Sequence, residues 1–281
     1  MRLGQVKIGG VITAAVFEGG LARPIPEHRM LDLIRRSETE NKPLGKLAGE
    51  LASRHPEEFA AILPVHAPEV WACGCTYERS ASFRDGEHGT AEGMYAYVYR
   101  EKRPEIFFKG TARVCVGTGQ AIGIRADSTF TAPEPELAVV LGSRGRIAGY
   151  TLANDVSAWD IERENALYLP QSKVYDGCCA IGPVIVTAED LPDPYGLEMT
   201  CTIQRGGREL FSGSISTERL HRRIETLIEY LMCANHVPCG TVLLTGTGII
   251  VPQEAALAPG DVVTIRVAEI GELSNQAALV G

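Results

Sequence analysis

Apolar positions change period twice in the first quarter of the chain. Val6–Ile8 and Val11–Phe17 are short apolar runs on either side of Gly9-Gly10, the pattern of two strands joined by a tight turn. Met30, Leu31, Leu33 and Ile34 then recur at helical spacing, as do Leu44, Leu47 and Leu51, and Pro56 is placed to open a short third helix. Pro64 and Pro68 bracket a linker. Residues 1–66 therefore read as a small N-terminal α+β domain.

The texture changes over residues 67–281. Strand-like runs alternate with Gly, Pro and Asp turns at Val70–Cys73, Ile106–Phe108, Ala121–Ile124, Glu136–Leu141 and Ile147–Thr151. The pattern continues at Val184–Thr187, Glu198–Gln204, Val242–Leu244 and Val262–Val267. One long helix is predicted, capped by Thr217 and carrying Leu220, Ile224, Leu227, Ile228 and Leu231 as its apolar stripe. A shorter helix is expected after Asp155. Many strands and few helices predict a β-dominated α+β domain.

Composition narrows the function more than the fold. The chain has 281 residues, 45% hydrophobic and 22% charged, which fits one large domain with a small one beside it. The apolar stretch at Leu243–Val251 is interrupted by Thr245, Gly246, Thr247 and Gly248, so no membrane span is expected. A net charge of −8 repels phosphate backbones and argues against nucleic acid as a partner. It does not exclude an anionic substrate, because a bound cation inverts the local field. The start MRLGQVKIGGVITAAVF lacks the basic and apolar regions of a signal peptide. Eight cysteines, with spacings such as Cys73-Gly-Cys75 and Cys178-Cys179, match no disulfide framework, and Cys233, His236 and Cys239 read as a helix end and loop rather than a zinc site. Free thiols without an export signal lead us to expect a cytoplasmic protein.

The chemistry concentrates in four places. Glu134 and Glu136 flank Pro135 at i and i+2 at the start of a strand. Strand alternation puts both carboxylates on one face, about 6.5–7 Å apart at Cα. A hard dication between them would relieve their repulsion, although Glu-x-Glu alone reads as readily as a solvated strand face. Asp155 follows in Gly149–Ala158, where a hairpin would return it to the glutamates. A helix N-cap is the plainer role for Asn154 or Asp155. Lys173 lies between a Pro-led loop and Gly182-Pro183, placed to pair with a substrate anion or to sit on the surface. The loop Thr245-Gly246-Thr247 offers amides and hydroxyls for a carboxylate, or a plain turn.

In this order, the Glu-x-Glu strand, Gly149-Tyr150-Thr151-Leu152-Ala153-Asn154-Asp155-Val156-Ser157, the Lys173 loop before Gly182-Pro183 and Thr245-Gly246-Thr247 resemble the fumarylacetoacetate hydrolase superfamily. The likeness spans roughly residues 68–281. It implies a β-roll catalytic domain and a divalent cation, Mg²⁺ with Mn²⁺ or Ca²⁺ as alternatives, held by Glu134, Glu136 and Asp155. It places Lys173 and Thr247 at the substrate site and implies a homo-oligomer, dimer or tetramer. Many hydrolase members carry a lid Asn-Tyr followed by His. Here Gly74–Arg84 has neither that Asn nor that His, His88 stands at the wrong spacing, and Trp159-Asp160 replaces Arg-Asp.

Arg103–Lys109, Pro133–Leu141, Glu164–Lys173 and Gly177–Ala180 resemble instead a subset of the superfamily that dehydrates 2-keto-3-deoxy sugar acids. That subset implies Glu105 and Lys173 as catalytic residues, with Glu105 as the acid/base. A 2-keto-3-deoxy acid can chelate a cation through C1 and C2. The enolate formed when a C3 proton leaves then expels the C4 hydroxyl. Ile106-Phe107-Phe108 supplies the apolar flank such a carboxyl needs. Lys109 is left between a supporting role and the surface. The rival readings are an acylpyruvate-type C–C hydrolase, an oxaloacetate decarboxylase, or a non-catalytic binding protein.

Overall fold

The computed structural model describes residues 1–78, 80 and 93–281. The chain opens with β1 (Arg2–Ile8), β2 (Val11–Glu18), β3 (Leu21–Ile25), α1 (Met30–Thr39) and α2 (Leu44–Leu51). Then come β4 (Val70–Gly74), α3 (Met94–Arg100), β5 (Glu105–Gly110), β6 (Cys115–Val116), β7 (Ile122–Arg125), β8 (Thr131–Ala132), β9 (Pro135–Leu141), β10 (Ile147–Asp155) and β11 (Ser157–Ala158). The remainder is α4 (Trp159–Glu164), α5 (Leu169–Lys173), β12 (Cys179–Thr187), β13 (Glu198–Arg205), β14 (Arg208–Ser216), α6 (Ile224–Met232), β15 (Val242–Leu244), β16 (Val262–Val267) and β17 (Gly271–Val280).

Two sheets carry the fold. The larger runs β3-β2-β1-β12-β10-β9-β15-β4-β5, with β6 added beside β12, and the smaller runs β14-β13-β16-β17-β7. β9 explains how they pack. All seven of its residues are buried, as expected of an inner strand covered on both faces. Leu137, Val139 and Leu141 face the core shared with Ile203, Val263 and Ile265 of the smaller sheet. The alternate residues Ala138 and Val140 face a second core with Leu33, Ile34 and Leu47 of α1 and α2. Each fully buried aliphatic side chain contributes roughly 1.5–3 kcal/mol, so both faces of β9 are held by apolar burial. β13, by contrast, alternates exposed and buried from Glu198 to Ile203, the signature of a strand with one wet face.

The architecture is the strand-dominated α+β arrangement that the alternation predicts. β1 pairs antiparallel with β12, Leu3 opposite Ile185, so the N-terminal strands extend the larger sheet. Three expectations fail locally. No helix follows Pro56; Glu57 and Ile62 instead form isolated bridges to Ala22 and Gln5. The long helix begins at Ile224 rather than Thr217, because the Thr217 hydroxyl accepts from the Leu197 amide and donates to Pro194 O. The Ile224 amide finds its acceptor in the Tyr195 hydroxyl, 2.8 Å away. β14 and β17 are absent from the predicted strands because their sequences, RELFSGSIS and GELSNQAALV, carry little apolar alternation.

Candidate metal centre and active site

The β9–β10 hairpin assembles the carboxylates. Ala153 stands opposite Glu136 and Asn154 opposite Pro135. Past the ladder the pairing continues: the Asp155 amide donates to Glu134 O at 2.9 Å, and the Glu134 amide donates to Asn154 Oδ1 at 3.0 Å. Neither Asn154 nor Asp155 caps a helix; both end β10, and α4 starts only at Trp159. One oxygen from each of Glu134, Glu136 and Asp155 lies within 4.8 Å of the others, and all three residues are buried.

Each carboxylate is held by donors from elsewhere. Lys173 ends α5 and is 1% exposed. Its ammonium donates to Glu134 Oε1 at 2.9 Å, Asp155 Oδ2 at 3.1 Å and Ser157 Oγ at 2.6 Å. The Trp159 indole also donates to Glu134 Oε1, at 2.6 Å. Lys109, wholly buried on β5, pairs with Asp155 Oδ1. The Gly246 amide donates to Glu136 Oε2. Gly246 has φ +94°, and a Cβ there would overlap the Thr76 hydroxyl and lie 2.9 Å from Cys73 O, so only glycine brings this amide onto the carboxylate.

The donor set fits a hard dication. It consists of buried carboxylate oxygens, the ligands that Mg²⁺ prefers. Glu136 Oε1 is buried and without a hydrogen-bond partner among the described residues, a costly condition for a carboxylate. Burial, then the charges of Asp155 and Glu134, push the Glu136 carboxyl well above the usual range, which is the repulsion a bound cation removes.

The other sequence-derived residues fall around this cluster. Glu105 opens β5, paired with Gly74, and accepts from the Cys75 thiol at 3.4 Å. The buried Cys73 thiol is pushed up by burial and then by the charges of Glu136 and Glu105, so both carboxylates act on this one side chain. Thr247 is 3% exposed. Its hydroxyl lies 3.3 Å from both Ile249 O and Ile249 N, so it shapes the turn after β15. Burial and the Glu136 charge also raise Tyr77. Tyr77 lines a cavity of about 760 Å³ with Glu78, Tyr99, Glu198, Ser216 and Arg219. His88 lies outside the described residues.

Ser157 and Trp159, which touch Lys173 and Glu134, have no role in the sequence analysis. Ser157 and Trp159 carried a signal, since both stand within four residues of Asp155. The Gly246 amide belongs to the Gly/Thr loop that the sequence offers as a carboxylate cradle, and the carboxylate it meets is that of Glu136.

A family model, "Fumarylacetoacetate (FAA) hydrolase C-terminal", matches residues 87–278. The 2-dehydro-3-deoxy-D-arabinonate dehydratase of Saccharolobus solfataricus is 43% identical over 277 residues, covering 95% of this chain and 93% of the relative. A probable 2-keto-3-deoxyxylonate dehydratase of Haloferax volcanii is 44% identical over 255 residues, covering 89% of this chain and 88% of the relative. Among solved structures, a 2-keto-3-deoxy-D-arabinonate dehydratase complexed with magnesium and 2,5-dioxopentanoate superposes with a TM-score of 0.85 at 38% identity, covering 100% of this chain and 99% of that one.

Proposed function

The chain belongs to the fumarylacetoacetate hydrolase family, and from that membership we infer that it is a hydro-lyase converting 2-keto-3-deoxy-D-arabinonate to 2,5-dioxopentanoate. The observation that carries this reading is the buried Glu134–Glu136–Asp155 cluster in a chain so similar to dehydratases of that sugar acid. It is a Mg²⁺-dependent enzyme of pentose breakdown.

Glu134, Glu136 and Asp155 would hold the cation. When bound, Mg²⁺ supplies a Lewis acid that polarises the C2 carbonyl and stabilises negative charge on its oxygen. The remaining work falls to side chains of this chain. Lys173 supplies a buried positive charge beside the carboxylates and steadies the anionic substrate. Thr247 shapes the wall on which the substrate rests. Glu105 takes the C3 proton, leaving an enolate, and returns a proton to the C4 hydroxyl, which departs as water. The C3=C4 double bond left behind moves by loss of a C5 proton and protonation at C3. Protonation at C4 then gives the aldehyde. One water leaves overall and no redox partner is needed.

Residues 67–281 would form the catalytic unit and 1–66 a small N-terminal unit, since every side chain assigned here comes from 67–281. Among the described residues no helix is long and apolar enough to cross a membrane. All eight cysteines are free, which supports a reducing, cytoplasmic setting. Exposed Leu167 and Leu279 offer apolar surface to a second copy, in keeping with a homo-oligomer, dimer or tetramer. The net charge of −8 speaks against nucleic acid.

The test is a panel of 2-keto-3-deoxy sugar acids and acylpyruvates, assayed with Mg²⁺ and with EDTA. A 2,5-dioxo acid formed only with the cation is expected. Pyruvate released from an acylpyruvate, with the sugar acids untouched, would replace this reading with the C–C hydrolase one.

A further inference from the structure

Asp155 is held from two sides by two different lysines. Lys173 reaches Oδ2 at 3.1 Å, together with Glu134 and Ser157. Lys109 reaches Oδ1 at 2.5 Å and donates to Val156 O at 3.0 Å. Lys109 turns inward at the irregularity of the β4–β5 ladder, between the pairs Phe108–Trp71 and Gly110–Val70: its neighbour Phe108 is 43% exposed, while Lys109 is 0% exposed. A lysine buried to this degree is rare and costly without a charge partner.

We propose that Lys109 is a positioning residue for the metal centre, clamping Asp155 through Oδ1 so that its carboxylate is held in the cluster with Glu134 and Glu136. The proposal rests on the reading of Glu134, Glu136 and Asp155 as metal ligands. One ammonium grips both the carboxylate of Asp155 and the carbonyl of the next residue. It therefore fixes side chain and backbone together at the end of β10, where Asp155 opposite Cys179 is the last rung of the ladder. Without that clamp only Lys173 holds the carboxylate, through Oδ2, and the side chain is free to rotate about that single contact and leave the geometry of the cluster. Groups that orient metal ligands in this way are worth about 10- to 100-fold in metal affinity.

The sign of the effect separates positioning from charge. Were Lys109 only a nearby positive charge, its removal would leave the carboxylates more negative and tighten Mg²⁺ binding. Positioning demands the opposite. Lys109→Met removes the ammonium. Lys109→Gln keeps an N–H donor and serves if the methionine variant does not fold. Mg²⁺ affinity would be measured by titration calorimetry on metal-stripped protein, beside melting temperature and turnover. The expected result is Mg²⁺ binding weakened about tenfold or more. Turnover should recover to within about threefold of wild type at saturating Mg²⁺, since the reacting groups stay in place. Unchanged or tighter Mg²⁺ binding in a folded variant overturns the proposal, even if the melting temperature falls. Wild-type protein that takes up no Mg²⁺ would overturn the metal reading itself, and the Lys109 proposal with it.

Discussion

The Glu105 carboxylate lies across the Cα of Gly74, its partner in the β4–β5 ladder. A Cβ on residue 74 would overlap Oε2 and sit 2.5 Å from the Glu105 carboxyl carbon. The colliding atoms are the far end of a flexible side chain, so Gly74→Ala should fold while the carboxylate moves aside. Displacing a reacting group by about 1 Å costs on the order of 10²-fold. We expect kcat of Gly74→Ala to fall by about 10- to 100-fold with Mg²⁺ affinity unchanged. Glu105→Gln should lose about 10²-fold or more while still binding Mg²⁺. Full activity in both would remove Glu105 from the proton transfers.

Glu134→Gln, Glu136→Gln and Asp155→Asn each take one negative charge from a site built for a hard cation. Activity should be abolished in each, and EDTA should do the same to wild type. Added Mg²⁺ at about 100 times its Kd should stabilise wild type by about 2.7 kcal/mol and leave the variants' melting temperatures unmoved. Variants that bind Mg²⁺ and turn over normally would refute the ligand assignment.

Lys173→Met leaves Glu134 and Asp155 without the ammonium that bonds to both. Turnover should fall severely at any Mg²⁺ concentration, unlike the expectation for Lys109. Thr247→Val loses one hydroxyl at a turn, about 0.5–1.5 kcal/mol, so kcat/KM should drop only severalfold. Steady-state kinetics of the two variants against wild type decide both.

Isotope placement tests which bonds break. In D₂O the product should carry deuterium at C3 and C4, since both carbons are protonated from solvent on the way to the aldehyde. Proton NMR of the 2,5-dioxopentanoate reads this directly. A product without deuterium at C3 would exclude the proposed tautomerisation.

Away from the site, Asp261 accepts from both Arg205 Nε and Nη2, at 2.9 and 2.8 Å, and from the Ala258 amide at 2.8 Å. Burial alone would raise its carboxyl, but these bonds outweigh it and hold the pKa below the usual value. A depressed folded-state pKa means the pair's stabilisation is full above the unfolded value of about 3.9. It is lost as pH falls through the folded one. Asp261→Asn should cost about 1.5–3 kcal/mol at neutral pH. The gap to wild type should narrow as the medium is acidified below about pH 4, as urea melts at several pH values would show.

The sequence by itself determined the local frame. Short apolar-rich runs mark β9 and β10, and the short Ser143–Gly145 turn between them obliges antiparallel return. The hairpin could therefore bring Asp155 near Glu134 and Glu136, but a solvated strand face and a helix cap fitted these residues as well, and only the family resemblance joined them as a ligand set. Many such runs separated by Gly, Pro and Asp turns told of a strand-dominated fold, and the order of motifs told of the family. Where apolar signal was thin, as in β14 and β17, or where a polar residue had two uses, as at Thr217, the pattern misled or fell silent. A hydroxyl tied to Pro194 and Leu197 cannot also start a helix.

Only the tertiary structure decided what surrounds those carboxylates. Lys109 is 46 residues from Asp155 and Gly246 is 110 from Glu136; nothing in local spacing relates either pair. Side-chain direction on β5 depends on its register with β4, and a one-residue slip would have sent Lys109 to solvent and Phe108 inward. The Gly246 amide reaches Glu136 because β15 lies beside β9, a neighbour relation set by burial on both faces of β9. Periodicity acts along the chain, whereas desolvation and charge pairing act across it, and the second group of forces assigns each buried lysine its oxygen.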